Sequence, residues 1–175
     1  MTPFTKRPPS GVTLIELMIV LVILGIGTAL ALPAFNDVIR QSRVSSEVNE
    51  LLAAINLTRS EALKRGQTVL MCGSSDQATC TGDFSGGWIV WNDANFDNAV
   101  QNAEIITVRS VLTERVELTG SVDRFGFDRR GLRMAAADVS FQIQPHDCVA
   151  GKLQQRRIDI GSGGRVTRTE AGACP

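Results

Sequence analysis

The sequence predicts an α+β protein in which one long amino-terminal helix packs on an antiparallel β-sheet or sheets. Residues 12–32 are almost wholly apolar and lead into an amphipathic segment with helical spacing that ends near Gly66. After Gly66 the pattern becomes strand-like between clusters of Gly, Asn and Asp, and no second set of long helices follows. A parallel βαβ architecture is therefore not expected.

The composition excludes several classes of function. The 175 residues suffice for one ordinary domain, and a hydrophobic content of 43% argues against disorder. Because 18 basic residues balance 18 acidic ones, bulk charge does not hold this chain to nucleic acid. A single histidine, His146, leaves little material for a His-based metal site or a catalytic triad.

The apolar segment has the length of a membrane span. Val12–Leu32 would form about 31 Å of helix, enough to cross the core of a bilayer, and we expect residues 12–33 to be transmembrane. Lys6 and Arg7 precede the segment, which places the amino end in the cytoplasm. A cleaved secretory signal ending near residues 29–31 stays as an alternative, although the direct continuation into a helical pattern favours retention.

Glu16 does not fit a simple anchor, because a carboxylate at the bilayer centre is unfavourable by about 3 kcal/mol. In one interpretation the side chain reaches the lipid headgroups at the interface. In the other it awaits a positive partner that another subunit supplies.

Residues 11–17, Gly-Val-Thr-Leu-Ile-Glu-Leu, resemble the cleavage motif of type IV prepilins and pseudopilins. In that family a dedicated peptidase cuts after the glycine and methylates the new amino terminus, which then meets the glutamate of a neighbouring subunit. The resemblance implies that residues 1–11 are a leader, that cleavage falls between Gly11 and Val12, that Val12 is N-methylated and that Glu16 directs assembly. Val12 stands where the family usually has Phe or Met, and Pro33 falls where it commonly has a helix-bending proline.

Two further stretches resemble the FimT/FimU–GspH family of minor pilins and pseudopilins. Residues 55–68 are similar to its ARSEA…RG stretch, within an amphipathic helix predicted over 34–66, and residues 86–91 read GGWIVW. The resemblance implies the type IV pilin fold, with residues 67–175 as a β-rich globular domain. We expect Trp88 and Trp91 to be buried. The predicted strands are Gln67–Cys72, Gly87–Asn92, Glu104–Leu112, Arg115–Thr119, Val139–Gln144, Gln155–Ile160 and Arg165–Thr169.

The four cysteines can pair in three ways, and their spacing lacks any C-x-x-C motif of a zinc site. Export by the amino-terminal helix would place them in an oxidising compartment, where disulfides persist. We favour the pairs Cys72–Cys80 and Cys148–Cys174.

Three segments resemble active or binding sites only superficially. We interpret residues 146–148 as a turn that leads into a disulfide, and Gly161–Gly164 as a hairpin turn. Residues 92–98 are rich in Asn and Asp, but we assign neither an EF-hand pattern nor its closing glutamate to them and expect a surface loop. The sequence thus predicts no enzyme, no cofactor and no metal site.

Charge is distributed unevenly along the chain. Residues 47–123 carry eleven acidic and five basic residues, whereas residues 124–168 carry nine basic and four acidic ones. DNA-binding FimT-type pilins have a carboxyl-terminal Gly-Arg-x-Arg motif, and this chain has Gly-Arg-Val-Thr-Arg over residues 164–168. On a strand, Arg165 and Arg168 would face opposite sides, and Arg156 or Arg157 on a neighbouring strand would complete a cluster for non-sequence-specific binding of double-stranded DNA.

We therefore expect a minor type IV pilin that takes part in assembly or priming at the pilus tip, with DNA binding for uptake as a separate hypothesis. The expected partners are other major and minor pilins, the prepilin peptidase and the bacterial inner membrane, with the globular domain periplasmic before it enters the pilus. The alternative is a GspH-like minor pseudopilin of a type II secretion system.

Overall fold

The computed structural model describes residues 11–110, 115–134 and 138–174, except for the side chains of residues 30–34 and 170–171. Most of the expected leader, the end of the strand expected over Glu104–Leu112 and the side chain of Pro33 lie outside this description. The chain forms two compact units, divided between Ile39 and Arg40.

The secondary structure consists of one α-helix, one short 3₁₀ helix and eight strands within the described residues. The helix α1 spans Leu14–Arg65, and a short 3₁₀ helix spans Phe84–Gly86. The strands are β1 Val69–Gly73, β2 Gly87–Asn92, β3 Ile105–Ser110, β4 Val116–Gly120, β5 Arg124–Phe127, β6 Val139–Pro145, β7 Gln155–Ile160 and β8 Val166–Gly172.

In the first unit, α1 begins with a side-chain cap. Thr13 Oγ1 accepts a hydrogen bond of 3.3 Å from the backbone N–H of Glu16, as a helix N-cap does. The apolar side chains that follow are exposed on every side of the helix, since the large ones between Leu14 and Ile26 are each at least 49% exposed. Over the helical residues whose side chains are described, no stretch is both long and apolar enough to cross a membrane.

In the second unit the strands form two antiparallel sheets. One has the order β3-β2-β1-β5 and the other the order β4-β6-β7-β8. All pairings between named strands are antiparallel, which confirms the predicted α+β class.

A single core joins α1 to both sheets. Within this unit, α1 buries one face through residues at helical spacing, which are Val44, Val48, Leu51, Ile55 and Ala62. The same cluster contains Met71 and Val90 from one sheet, and Phe141 and Ile158 from the other. Because each large apolar side chain stabilises the fold by about 1.5–3 kcal/mol when buried, this shared core is the main stabilising element.

The two tryptophans of β2 lie in different clusters. Trp88 belongs to the core shared with α1, whereas Trp91 packs with Leu70, Cys72 and Ile89 in a smaller second cluster. Both side chains are buried, which confirms the packing role expected from the sequence.

An ion-pair group connects α1 to the edge strand β3. The guanidinium of Arg109 pairs with Glu50 and lies 3.6 Å from Oε1 of Glu47, and it also lies over the ring of Trp88. Burial raises the pKa of the Glu47 carboxyl, and the positive charge of Arg109 partly offsets this rise.

The structure contains the disulfides Cys72–Cys80 and Cys148–Cys174, the pairing that the sequence favoured. The first closes the loop that follows β1. The second joins the segment after β6 to the carboxyl-terminal residues, where Ala150 and Cys174 also form a β-bridge.

Strand β5 is absent from the sequence prediction. It has only four residues and contains Gly126, and a glycine in a short apolar run is typical of a turn. The glycine has a packing reason instead. A Cβ atom at this position would lie 2.5 Å from Leu70 Cδ2 and 2.6 Å from the carbonyl oxygen of Val69 on β1.

The turn between β7 and β8, Gly161–Gly164, is held from two sides. The guanidinium of Arg59 on α1 donates hydrogen bonds to the carbonyl oxygens of Gly163 at 3.2 Å and Gly164 at 3.0 Å. The backbone N–H of Arg133 donates to the carbonyl oxygen of Ser162 at 3.1 Å. The helix therefore determines where this turn and the residues beside it lie.

We expect Gly126→Ala to lower the free energy of unfolding by about 1–3 kcal/mol, because the added methyl group meets the backbone of β1. Gly163→Ala is the control, since no atom lies within 4 Å of a Cβ placed there. Thermal unfolding of the full chain in detergent, followed by tryptophan fluorescence, measures the difference. Equal melting temperatures for the two variants would contradict the close approach of β5 to β1.

Arg59→Met should destabilise the chain by about 1–3 kcal/mol, because two turn carbonyls lose a charged donor. Arg65→Met removes only an exposed ion pair with Glu61 and should cost a few tenths of a kcal/mol, roughly as i,i+4 pairs do. Hydrogen exchange of the Gly164 amide, which donates to Gly161 within the turn, should accelerate only in the Arg59 variant. Unchanged exchange there would show that the turn does not depend on α1.

Candidate assembly and nucleic-acid interfaces

The expected processing site lies immediately before α1. Gly11 and Val12 are exposed, and no described atom outside the chain neighbours of Gly11 lies within 4 Å of a Cβ placed on it. Glu16 stands in the first turn of α1, where the partial positive charge of the helix end favours a carboxylate.

Thr13 is a functional residue that the sequence analysis missed. Thr13 and Glu16 have the spacing of a capping box, in which the N-cap hydroxyl binds the third amide of the helix and a Glu at that third position reaches back. Only the threonine half of this arrangement is formed, through the 3.3 Å bond to the Glu16 amide. The cap therefore uses the backbone amide of Glu16 and not its carboxylate, and the T-x-x-E spacing was the available signal.

The four candidate arginines do not form one cluster. In β7, Arg156 is paired with Ile143 and Arg157 with Gln142, so these neighbours point to opposite faces of the sheet. Arg168 is paired with Ile158, whereas Arg165 precedes β8 and accepts a backbone bond from Gly161. The register thus places Arg156 and Arg168 on one face and, by alternation, Arg157 and Arg165 on the other.

The four also differ in their local partners. Arg157 Nε lies 2.9 Å from Asp159 Oδ1, and Arg156 Nη1 donates to the carbonyl oxygen of Gln155. Arg165 and Arg168 are exposed, and neither has an ion-pair partner among the side chains that the structure describes. These two are the guanidinium groups best placed to meet an external anion.

The turn Asp128–Gly131 adds further charge beside the β7–β8 turn, since a Cβ on Gly164 would lie 2.5 Å from the carbonyl oxygen of Gly131. Arg130 pairs with Asp128 at 3.0 Å. Hydrogen bonds from the backbone N–H of Leu132 and then from Arg130 hold the pKa of Asp128 below its ordinary value. Asp128 therefore stays ionised at neutral pH and partly cancels the positive charge here.

Residues 146–148, which superficially resembled an active site, have structural partners instead. Residues 146–148 follow β6, where Asp147 pairs with Arg40 at 2.5 Å and Cys148 is in a disulfide. Among the described residues, no group of three or more His, Cys, Asp or Glu side chains is arranged to hold a metal ion.

The sequence analysis was wrong about one residue of the Asn- and Asp-rich loop. Glu104 follows Asp93 by eleven positions, which is the place of a closing glutamate, and its Oε1 accepts a hydrogen bond of 3.2 Å from the backbone N–H of Ala94. Its carboxylate thus returns to the start of the loop. A count of twelve residues from Asp93 would have identified Glu104 from the sequence alone.

Two family matches cover most of the chain. Residues 47–164 match the family described as type II transport protein GspH, and residues 6–32 match the prokaryotic N-terminal methylation motif. Together they include the expected processing site, both ends of α1 and most of the β-rich unit.

Several fimbrial proteins are related in sequence. The type IV major alpha-pilin of Moraxella bovis is 36% identical over 114 residues, which are 65% of this chain and 61% of that protein. The type IV major fimbrial protein FimA of Dichelobacter nodosus is 40% identical over 77 residues, 44% of this chain and 45% of that protein. Fimbrial protein Q of Moraxella bovis is 56% identical over 43 residues, and the match spans 27% of its length. The chain thus spans between about a quarter and three-fifths of the length of these relatives.

The fold has a solved counterpart. The crystal structure of the type IV minor pilin FimU of Pseudomonas aeruginosa matches with a TM-score of 0.53 at 18% identity, over 77% of this chain and 99% of that one. This likeness establishes the type IV pilin fold expected from the sequence. Because the GspH match alone covers more than half of the residues, the chain belongs to the GspH family, among the type IV minor pilins and pseudopilins.

Proposed function

We propose that this chain is a minor subunit of a type IV pilus, held in the inner membrane before it is assembled. One observation carries the proposal: Gly11 and Glu16 stand in register at the start of a helix whose apolar side chains are exposed on every side. Such a helix is stable in lipid or among other apolar helices, and not in water. Pilins and pseudopilins are structural subunits, and we propose no enzymatic role.

The proposed assembly step is the pairing of two charges. Cleavage after Gly11 by the prepilin peptidase would give Val12 a free amino group, which the peptidase then methylates. In a filament, Glu16 of one subunit would lie against this cationic group of its neighbour. Because a carboxylate among apolar helices is costly alone, its burial becomes acceptable only beside such a partner.

The remaining parts of the proposal concern location. Residues 12–33 would cross the inner membrane with residues 1–11 as the cytoplasmic leader, and the β-rich unit would be periplasmic until it enters the filament. Other major and minor pilins would be its partners. We place the chain at the tip or in the priming complex, the role that its sequence resemblance to minor pilins implies.

The alternative function, in a type II secretion system, is favoured by a specific observation: the family that matches residues 47–164 is described as a type II transport protein. In that case the chain would be a minor pseudopilin with the same anchor and the same charge pairing. Deletion of the gene distinguishes the two. Loss of surface pili and twitching supports the pilus, and loss of protein secretion with intact twitching supports the pseudopilus.

We also propose, as a separate activity, that Arg165 and Arg168 contact the phosphates of double-stranded DNA without reading its sequence. Both residues are exposed, and both follow a turn that Arg59 and Arg133 hold in place, Arg165 directly and Arg168 within β8. Their opposite orientation favours contacts with two different phosphates along a groove edge rather than one bidentate contact.

Glu16→Gln should be cleaved and methylated normally but lost from sheared filaments, because glutamine has nearly the same size and shape as glutamate and removes the charge. Thr13→Ala is the matched control, since it removes the cap bond and preserves the carboxylate. Mass spectrometry should find methylated Val12 at the start of both mature chains, and immunoblots should find only the Thr13 variant in filaments. Equal incorporation of Glu16→Gln and wild type would overturn the proposed charge pairing.

The double variant Arg165→Gln, Arg168→Gln should bind duplex DNA more weakly and lower the salt slope of log K by about 2, because two phosphate contacts are lost. Arg157→Gln is the control, since its guanidinium is already paired with Asp159. Fluorescence anisotropy with the full chain in detergent measures both quantities across a salt series. The site is rejected if the double variant and the control have the same affinity and slope.

A further inference from the structure

A cleft lies between the carboxyl end of α1 and the turn that follows β5. Its volume is about 440 Å³, which falls within the range of sites for small organic ligands. The cleft is lined by residues 66–68, Phe96 and residues 128–130. These residues come from three separate parts of the chain, so the cleft exists only in the folded second unit.

Phe96 is the aromatic residue of this cleft. It is 70% exposed, whereas the other phenylalanines described in the second unit are buried. It belongs to neither of the two apolar clusters. Its φ of 62° lies in the left-handed region, which a bulky side chain seldom enters. Residues held in such conformations concentrate at functional sites, and packing within the chain does not account for this one.

The side chain of Gln67 is oriented by a hydrogen bond. Nδ2 of Asn92, a residue that is only 7% exposed, donates to Oε1 of Gln67 at 2.9 Å. This bond leaves the NH₂ group of Gln67, which has no partner among the described residues, as a donor. The hydroxyl group of Thr68, whose described partner is the thioether sulfur of Met134 at 3.7 Å, is a weakly held second donor.

The charged groups beside the cleft differ in whether they already have partners. The carboxylate of Asp128 accepts hydrogen bonds from the amides of Arg130 and Leu132 and from Nε of Arg130, at 2.8–3.0 Å. Asp97 in the β2–β3 loop likewise accepts hydrogen bonds from three donors of its own loop. Arg129, in contrast, is exposed and has no ion-pair or hydrogen-bond partner in the part of the chain that the structure describes. An external anion would supply that partner.

A nucleotide is the ligand whose parts correspond to these groups. Its base has a π face for an aromatic ring and an edge with hydrogen-bond acceptors for the two donors, and its phosphate suits a guanidinium. In a duplex the faces of the bases are stacked and their pairing edges are occupied, whereas an unpaired base presents both. Proteins that bind single strands combine the same two elements, aromatic side chains and cationic groups.

We propose that this cleft binds one unpaired nucleotide of single-stranded DNA, with the base against Phe96 and Gln67 and a phosphate on Arg129. The inference rests on the proposed binding of DNA and adds a second contact to it. A Cβ on Gly164 would lie 2.5 Å from the carbonyl oxygen of Gly131, so the turn after β5 touches the β7–β8 turn. The cleft and the proposed contact with duplex DNA therefore lie on adjoining turns.

The test is fluorescence anisotropy of the full chain in detergent with a labelled oligothymidylate of about twelve nucleotides. Phe96→Ala should weaken binding at least about fivefold, because a stacking platform is lost, and Phe96→Leu should do the same, because leucine has no π face. Leu153→Ala is the matched control, since it truncates another apolar side chain that is 60% exposed. Equal melting temperatures of the variants verify that the fold persists.

Arg129→Gln should reduce the slope of log K against log salt by about 0.7, the value for one phosphate contact on a single strand. Arg115→Gln makes the same change of charge and should bind like wild type. Arg115 is also exposed, and it lines a different cavity together with Arg43, which lies about 33 Å along α1 from Arg65. Competition with thymidine monophosphate identifies the source of the nucleotide. Displacement at a similar concentration indicates a free nucleotide, and much weaker competition indicates a strand.

Absence of single-strand binding, or wild-type affinity and slope of both Phe96→Ala and Arg129→Gln, would overturn the site. If Phe96→Ala binds the oligonucleotide normally but is missing from filaments, the cleft receives a neighbouring subunit and the inference is wrong. The duplex assay of Arg165 and Arg168 gives a separate result, because neither residue lines the cleft. Loss of duplex binding in that double variant with normal cleft variants rejects the cleft alone. Single-strand binding that depends on Phe96, without duplex binding, rejects the duplex contact alone.

Discussion

The fold of the second unit depends on one apolar face of α1, which both sheets share. Val48, Leu51 and Ile55 belong to the same buried cluster as residues of β1 and β2 on one side and of β6 and β7 on the other. Among the described residues, no other α-helix covers the inner face of either four-stranded sheet, so the burial of both faces depends on α1. The positions of loops and turns follow from this packing, as the contact of Arg59 with the β7–β8 turn shows.

The first unit presents the opposite situation, because its apolar side chains have no partner within their own unit. Exposed apolar residues surround the helix between Leu14 and Ile26, and a single carboxylate, Glu16, stands among them. The apolar side chains are unfavourable in water, whereas the carboxylate is solvated there. Lipid or other apolar helices remove the first cost but impose a desolvation cost on the carboxylate, and a cation beside it offsets that cost. This is the physical argument for assembly through the amino terminus of a neighbour.

The sequence predicts the regular elements well, since hydrophobic periodicity determines them. The helical segments expected over 12–33 and 34–66 begin two residues before α1 and end one residue after it, and Gly87–Asn92 and Gln155–Ile160 agree with β2 and β7 at both ends. Strand β5 was missed because its glycine serves a close approach to β1 that no local pattern reveals. The opposite orientation of Arg165 and Arg168 was predicted from the alternation of side chains along a strand. Whether an arginine has an ion-pair partner among the described side chains, as Arg157 has in Asp159 and these two have not, could not be predicted in this way.

The loop of residues 93–104 shows how a local pattern and a tertiary contact depend on each other. Its Asn- and Asp-rich composition is a property of the sequence, whereas the proximity of its two ends is not. The ends meet because Asn92 ends β2 and Ile105 begins β3, and the amide of Asn92 donates to the carbonyl oxygen of Glu104. The antiparallel pairing of these two strands therefore closes the loop, and no pattern within the loop itself could have predicted that closure.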